Sequence, residues 1–238
     1  MKRYEDLVSQ TFEFPTEEFK VVNNELYFHN IPLMEIIKEH GTPLKLTYLP
    51  RISQNIKKAK RMFKSAMKKH KYKGNYTYCY CTKYSHFSFV LEEVLKNNVH
   101  LETSSAYDLE IVRKLHENER IDKNITIVCN GFKRPLYKQY ISETINSGFK
   151  NCIPVLDTLN EIDYYLEHVD KPIQVGIRVA ADEEPNFEFY TSRLGVRYGD
   201  VNHLYREKIE NNPKVKLKML HFFIHWGISD SAYYWSEL

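Results

Sequence analysis

The sequence lacks several features that assign a protein to a function class at once. It has no apolar run long enough to cross a membrane, and its first residues show no signal-peptide pattern. Its formal net charge is only +3, from 34 basic and 31 acidic residues, so the chain as a whole has no strong field for nucleic acid. We therefore predict a protein that binds neither nucleic acid nor a membrane.

Cysteine is scarce, and the residue spacings of several common sites are missing. There are four cysteines, all inside apolar segments, and no Cys-x-x-Cys pair. We expect reduced thiols and a cytoplasmic setting. The sequence shows no Gly-rich phosphate loop and no Ser-His-Asp context. It also shows no residue spacing typical of metal ligands, so no metal is expected. The cysteines are Cys79, Cys81, Cys129 and Cys152.

One segment, from Ile52 to about Lys73, concentrates positive charge on a predicted long helix. Its apolar residues Ile56, Phe63 and Met67 share one side, and lysines fill the rest. Such a run can contact nucleic acid or an acidic surface. Because the helix also has an apolar side and the net charge is small, a solvated outer face is the stronger interpretation.

From residue 75 onward, strand-like and helix-like patterns alternate. Strand candidates begin near 75, 98, 124, 151, 173 and 215, which predicts βαβ units and a parallel sheet. A doubly wound sheet fits this rhythm. A (β/α)8 TIM barrel fits better, because chemically capable residues follow nearly every strand at the end where barrel enzymes carry their sites. These residues are Lys83, Glu102, Asn130, Asp157, Arg178 and His221.

Six barrel strands are countable rather than eight, so we expect the barrel to be cut short by at least two strands. The predicted domains are an N-terminal segment, 1–42, and a partial barrel domain, 43–238. Residues 43–48 alternate as a further strand. The patterns Ser105-Ala-Tyr-Asp108 and Thr158-Leu-Asn-Glu161 predict capped helix starts, and Pro135 predicts another helix start.

The stretch from Tyr76 to Lys83 predicts a strand on which Thr77, Cys79, Cys81 and Lys83 share one face. A lysine amine at the end of this narrow stripe can bond to the aldehyde of a cofactor such as pyridoxal phosphate. The alternative is an ordinary exposed lysine just past a strand, and for a lone lysine that alternative is the more common one.

Glu102, Arg178 and His221 are predicted to face the same mouth of the barrel. A carboxylate can orient a cofactor, an arginine can stabilise negative charge, and a histidine can stack on a ring. The alternatives are an ion pair at the rim for Glu102 and Arg178, and a hydrogen-bonded core histidine for His221. Residue spacing alone leaves these alternatives open.

Four motifs in order resemble one family. They are Leu101-Glu-Thr-Ser-Ser105, Ile127-Val-Cys-Asn-Gly-Phe-Lys133, Ile177-Arg-Val-Ala-Ala-Asp182 and Thr191-Ser-Arg-Leu-Gly195. Together they resemble the fold-type III, pyridoxal-phosphate-dependent decarboxylases, and among these the arginine decarboxylases. The resemblance runs from about Pro43 to the end and implies an alanine racemase-like barrel, of which this chain would be the N-terminal portion.

The resemblance implies a role for five residues. Lys83 matches the catalytic lysine that bonds to pyridoxal 5'-phosphate. Glu102, Arg178 and His221 match residues beside the cofactor, and Phe223 stands where the family has a ring-stacking histidine. The chain departs from the family there, and also at Trp226, which replaces a small phosphate-binding residue.

The implied activity is decarboxylation of arginine to agmatine in polyamine biosynthesis, by a homodimer or higher oligomer. Ornithine, diaminopimelate and carboxynorspermidine stay open as substrates. The family's phosphate loop, the carboxylate for the pyridine nitrogen and the C-terminal β-domain have no counterpart in this sequence. We therefore expect weak or no turnover by this chain alone. A non-catalytic single-barrel protein that binds pyridoxal phosphate and an inert, incomplete gene product are the alternatives.

Overall fold

The structure, a computed structural model, describes residues 18–180 and 194–222 of the 238-residue chain. The chain divides into two compact units, Met1–Tyr48 and Leu49–Leu238. The domain boundary between residues 42 and 43 stays a prediction.

The first unit contains a small antiparallel sheet followed by one helix. Its strands pair in the order β1-β2-β3, and helix α1 begins directly after Pro32. The helix ends at Gly41, whose φ of 78° suits glycine and whose N–H donates to the Ile37 carbonyl. The elements are β1 (Phe19–Val22), β2 (Glu25–Phe28), β3 (Ile31–Pro32) and α1 (Leu33–His40).

Residues 43–48 do not form the predicted strand. They pair with no strand in the part of the chain that the structure describes, and Leu44 and Leu46 are exposed. The Tyr48 ring instead stacks on the His29 ring, with centroids 4.4 Å apart. The prediction is wrong because alternation indicates a strand only where one face becomes buried, and here the alternating leucines face solvent.

The second unit is a parallel sheet with helices between its strands. Its six main strands are β4 (Cys79–Cys81), β5 (His100–Thr103), β6 (Ile127–Cys129), β7 (Cys152–Leu156), β8 (Ile173–Ala180) and β10 (Val215–His221). A two-residue strand, β9 (Val196–Arg197), pairs with the end of β8. The helices are α2 (Leu49–Lys69), α3 (Ser88–Leu95), α4 (Ala106–Glu117), α5 (Pro135–Asn146), α6 (Glu161–His168) and α7 (Tyr198–Leu204), which continues as a π-helix over Tyr205–Ile209.

The order of the strands distinguishes the two predicted architectures. The strands lie side by side as β4-β5-β6-β7-β8-β10, and each pair is parallel. Sheet order therefore follows chain order, as in a TIM barrel, whereas a doubly wound sheet reverses its order at a switch point. The predicted barrel class is confirmed, with six main strands in the described residues.

The two faces of the sheet differ in their neighbours. Alternate residues of each strand, such as Leu101, Ile127 and Ile177, belong to the main core and pack with the helices. The residues between them, such as Glu102 and Arg178, point to the inner face. The sheet lacks a side chain at one inner position, Gly176, where a Cβ would lie 2.8 Å from Met219 Cγ.

Helix α2 carries the lysine-rich segment. Only Ile56 of this helix is buried, and it packs with Val90, Val94 and Val99 on and after α3. Phe63, predicted on the apolar side, is half exposed and stacks on Tyr76 with ring centroids 4.1 Å apart. The basic residues around them are mostly exposed, as expected for a solvated face. In the described ranges, no helix is long and apolar enough to cross a membrane.

Candidate active site

The sheet brings four predicted residues to the carboxyl-terminal ends of its strands. Glu102 lies near the end of β5, Asn130 directly follows β6, Arg178 is on β8 and His221 ends β10. In a parallel sheet these ends share one edge, where barrel enzymes place their sites. We call Glu102, Asn130, Arg178 and His221 the barrel mouth.

Lys83 lies beside this edge but not within the strand. Strand β4 ends at Cys81, and a turn closed by the Tyr84 N–H and the Cys81 carbonyl, 3.1 Å apart, carries Lys83 into solvent. Thr82 directs both its N–H and its hydroxyl to the Glu102 carbonyl, at 2.9 and 3.1 Å, which joins the end of β4 to β5 just before the turn. The predicted strand includes Lys83, whereas the observed strand ends two residues before it. Lys83 is thus an exposed amine at the rim of the barrel.

Cys79 and Cys81 lie on the face predicted for them. Tyr80, between them, packs against both core clusters, which leaves the two thiols on the opposite face. Burial and the negative charge of Glu102 raise the pKa of Cys79 to about 11 and also raise the pKa of Cys81. These cysteines are therefore neutral thiols that line the approach to Glu102.

Asn130 joins two of the predicted residues. Its Nδ2 atom lies 3.1 Å from Glu102 Oε1 and 3.2 Å from His221 Nε2. Residues 130 and 221 are 91 positions apart in the chain, so only the tertiary fold brings them together. The sequence placed all three residues at strand ends, but it did not show that the asparagine connects the other two.

The fold strongly favours the neutral form of His221. It pairs in register with Arg178 on the neighbouring strand. Burial, and then the positive charges of Arg178 and Lys133, lower the pKa of His221 to about 4. The imidazole is therefore neutral at physiological pH, and it adds no positive charge to that of Arg178.

Lys133 forms a buried network that sequence reasoning missed. Its ammonium group lies 3.1 Å from both Asp157 Oδ2 and Glu161 Oε1, and it donates to the Gly131 carbonyl at 2.9 Å. It also makes a short hydrogen bond to the Val155 carbonyl. The sequence did single out this residue, since Lys133 is the last residue of the Cys-Asn-Gly-Phe-Lys motif that resembles the decarboxylase family.

Local geometry explains how Lys133 reaches the interior. Gly131 has a φ of +82°, a conformation that favours glycine, and this lets the chain reverse after β6. The Lys133 side chain then points back beneath the strand ends, where none of it is exposed. The network ties the end of β6 to the end of β7 directly below Asn130.

The predicted helix cap that includes Glu161 is wrong, because Glu161 belongs to the buried network around Lys133. Helix α6 begins at Glu161 after Asn160, with no side-chain cap hydrogen bond. The Glu161 carboxylate instead accepts from the Asp157 N–H at 3.0 Å and from the Tyr165 hydroxyl at 3.3 Å, besides contacting Lys133. By contrast, the other two predicted helix starts are confirmed, because Ser105 accepts from the Asp108 N–H and Pro135 is the first residue of α5.

Phe223, the fifth predicted site residue, lies outside the described residues, as does Trp226. For the other four predicted site residues, the structure gives the position in the fold, while the role in binding or catalysis stays a prediction. Three buried polar atoms near the mouth have no hydrogen-bond partner among the described residues, namely Asn130 Oδ1, Asp157 Oδ1 and His221 Nδ1.

These observations fit a polar cofactor more readily than a metal. The described residues contain no group of three or more His, Cys, Asp or Glu side chains placed to hold a metal ion. Lys83 offers an accessible amine, Arg178 offers a positive charge, and the two orphaned atoms of Asn130 and His221 offer an acceptor and a ring nitrogen. Pyridoxal phosphate has the aldehyde and the polar ring substituents that such a set can bind.

Curated proteins of similar sequence carry one name. The chain is 27% identical over 228 residues to biosynthetic arginine decarboxylase of Prochlorococcus marinus strain MIT 9215, a match that covers 90% of this chain and 34% of that protein. The protein of the same name from Rhodopirellula baltica is 24% identical, with 82% of this chain and 31% of the relative covered. This chain thus spans about a third of the length of these relatives. No family model matches the sequence.

Solved structures agree on the fold. Diaminopimelate decarboxylase from M. jannaschii, solved with L-lysine, matches with a TM-score of 0.75 at 14% identity, over 92% of this chain and 50% of that one. Biosynthetic arginine decarboxylase from Campylobacter jejuni matches with a TM-score of 0.64 at 21% identity, over 88% of this chain and 36% of that one. The resemblance that the motifs predicted is confirmed, and the fold is the one that these solved structures share.

Proposed function

We propose that this chain, a homologue of biosynthetic arginine decarboxylases, supplies the barrel that binds pyridoxal phosphate in a decarboxylase of basic amino acids. Arginine is the proposed substrate and agmatine the product, because the curated relatives carry that name. Ornithine and diaminopimelate are the competing substrates, since a solved neighbour of the same fold is a diaminopimelate decarboxylase.

A single observation supports the proposal most strongly. The parallel strands, in chain order, bring Glu102, Arg178 and His221 to one edge, with Lys83 in the turn beside it. These are the residues that the family motifs matched one by one. A lysine, a carboxylate, an arginine and a neutral histidine at one barrel mouth form a set that can bind a charged cofactor and an amino acid.

Each residue has a distinct part in this proposal. Pyridoxal phosphate, when bound, supplies an electron sink for the electron pair left behind when a carboxylate departs as CO2. Lys83 would hold the cofactor through its amine. Arg178 stabilises negative charge in the mouth, while Glu102 orients its neighbours through Asn130.

The first test is cofactor binding. Purified protein mixed with pyridoxal phosphate should gain the absorbance band of a lysine-bound cofactor, and reduction with borohydride should attach the cofactor to the peptide that contains Lys83. Lys83→Ala should abolish both signals. Lys114→Ala, which removes an exposed lysine from helix α4, is the matched control and should leave them intact.

The second test is CO2 release from arginine, ornithine and diaminopimelate. We expect weak or no turnover from this chain alone, since it spans about a third of its relatives' length. Release from arginine that depends on Lys83 would establish the activity. Cofactor binding without turnover agrees both with the proposal for this chain alone and with the non-catalytic, cofactor-binding alternative, whereas the absence of binding would contradict the proposal.

Three further parts of the proposal follow from the same family assignment. Agmatine formation would place the protein in polyamine biosynthesis, and a homodimer or higher oligomer is the expected assembly. A cytoplasmic setting is supported by the four cysteines, which are free thiols even though Cys129 Sγ and Cys152 Sγ lie 3.6 Å apart. Sedimentation in the presence of pyridoxal phosphate would measure the oligomeric state.

A further inference from the structure

The side chain of Asn130 bridges two acceptor atoms with one amide nitrogen. Nδ2 carries two hydrogens, and it lies 3.1 Å from Glu102 Oε1 and 3.2 Å from His221 Nε2. Both separations are hydrogen-bond distances. One amide group therefore has a hydrogen for each neighbour.

The carboxylate decides which way the amide faces. An ionised carboxylate only accepts hydrogen bonds, so the amide oxygen cannot replace Nδ2 opposite Glu102 without placing two acceptors against each other. The Nδ2 group must therefore face Glu102. Because the same nitrogen also faces His221, the hydrogen that it directs there requires an acceptor on the imidazole ring.

The imidazole must then carry its proton on the far nitrogen. A neutral histidine has one ring nitrogen with a hydrogen and one without, and the tautomer follows from the bond that one of them makes. If Nε2 accepts from Asn130, the hydrogen resides on Nδ1. The low pKa of His221, which burial and the charges of Arg178 and Lys133 cause, agrees with a neutral ring.

We propose that Asn130 is a positioning residue that holds His221 as the neutral tautomer protonated at Nδ1. The Nδ1–H is then a fixed donor at the barrel mouth for an anionic oxygen of a ligand, and it has no partner among the described residues. The tautomer is a property of this chain alone. Its use for cofactor or substrate rests on the proposed function.

The buried network below the mouth supports this assignment. Lys133 anchors the turn after Asn130 through the Gly131 carbonyl and the Asp157 carboxylate. The asparagine thus lies on a segment fixed from beneath, so its amide has little freedom to turn away. Glu102, on the neighbouring strand, provides the asymmetry that selects one orientation.

The experiment is nuclear magnetic resonance of the full chain with isotope-labelled histidine, without added cofactor. The signal lost in His221→Gln identifies His221. We expect the nitrogen shifts of a neutral ring protonated at Nδ1 in the unmodified protein. In the double variant Glu102→Gln/Asn130→Asp, the carboxylate at position 130 has no second carboxylate beside it and accepts rather than donates, so the proton should move to Nε2 and the pKa of His221 should rise by about one unit or more.

Two variants separate this effect from general disturbance. Asn118→Asp makes the same chemical change at an exposed residue after helix α4 and should leave the His221 signal unchanged. Asn130→Leu keeps the approximate size but provides no donor, and should produce a mixture of the two tautomers. Circular dichroism shows whether each variant is folded.

The result that overturns the proposal is an Nε2–H or a charged His221 in the unmodified protein at neutral pH. A Glu102→Gln/Asn130→Asp variant that is folded and retains the Nδ1–H signal overturns it as well. Because no cofactor is present, these outcomes are independent of the proposed function. Failure to bind pyridoxal phosphate with the Nδ1–H tautomer intact would contradict only the function.

Discussion

Lys133 and Asp157 form a buried ion pair beneath the barrel mouth, with Nζ and Oδ2 separated by 3.1 Å and only 0% and 2% of their side chains exposed. Glu161 is a second carboxylate on the same ammonium group. Charges this deeply buried are costly unless they are paired. The cluster therefore holds the ends of β6 and β7 in one arrangement, on which the position of Asn130 depends.

Removal of Lys133 should be strongly destabilising. In Lys133→Met, Asp157 and Glu161 lose their buried counter-charge, so the free energy of unfolding should fall by about 3–5 kcal/mol. Urea denaturation followed by circular dichroism measures this. Lys208→Met breaks an exposed ion pair, Lys208–Asp163, with a shorter separation of 2.8 Å, and should change stability little. Equal effects of the two substitutions would contradict the role given to the buried cluster.

His221 should make the stability depend on pH. Its pKa is near 6.5 when unfolded and about 4 when folded. As pH falls below 6.5, the unfolded chain takes up a proton that the folded chain does not, so the stability present above that pH is lost progressively down to about pH 4. The slope is at most about 1.4 kcal/mol per pH unit.

Comparison of the protein with His221→Gln isolates this effect from other titrating groups. The difference in free energy of unfolding between the two should be constant above pH 6.5 and should shift in favour of the variant as pH falls toward 4. Parallel pH profiles through this window would show that the pKa of His221 is not lowered by folding.

The charge of Glu102 should control the reactivity of the neighbouring thiols. Burial first and Glu102 second raise the pKa of Cys79 to about 11. Glu102→Gln removes the second cause, so more thiolate should form at a fixed alkaline pH and alkylation of Cys79 should be faster, by several-fold. Mass spectrometry of the alkylated peptides measures the rate. In Glu110→Gln, a carboxylate on helix α4 is lost, and the rate should stay unchanged.

Two similar sequence patterns should differ in their contribution to stability. Ser105 caps helix α4 by accepting from the Asp108 N–H, so Ser105→Ala should cost about 1 kcal/mol. Thr158 occupies the same place in the pattern before α6, but no side-chain cap forms there. Thr158→Ala should therefore have a much smaller effect in thermal denaturation. A loss as large as that of Ser105→Ala would mean that Thr158 has a stabilising contact of another kind.

Much of the barrel could be predicted because its patterns are local. Short β-branched runs, separated by apolar residues with helical spacing, predicted the start of each of the six main strands within a few residues. The observed strand order agrees with the predicted barrel. Strand lengths were less accurate. The segment before Lys83 was predicted as a strand from Tyr76, whereas β4 covers only Cys79–Cys81, because pairing with β5 limits it.

The candidate site could be predicted only as separate residues. Lys83, Glu102, Arg178 and His221 were found from motif matches and strand ends, since each is a local feature. The same local reasoning assigned Glu161 to a helix cap and overlooked Lys133. Both errors involve one contact, the pairing of Lys133 with Glu161, whose residues are distant in sequence, and a pattern of neighbours carries no information about it.

By itself, the sequence determined the alternation of strands and helices, the family resemblance and the residues that end each strand, because backbone preferences and side-chain periodicity act over a few residues. Only the tertiary structure decided that Asn130 meets both Glu102 and His221, that His221 is neutral and that Lys133 is buried between two carboxylates. Those properties arise when the packing of strands and helices brings distant residues together and excludes water, and the pKa of a group depends on that burial.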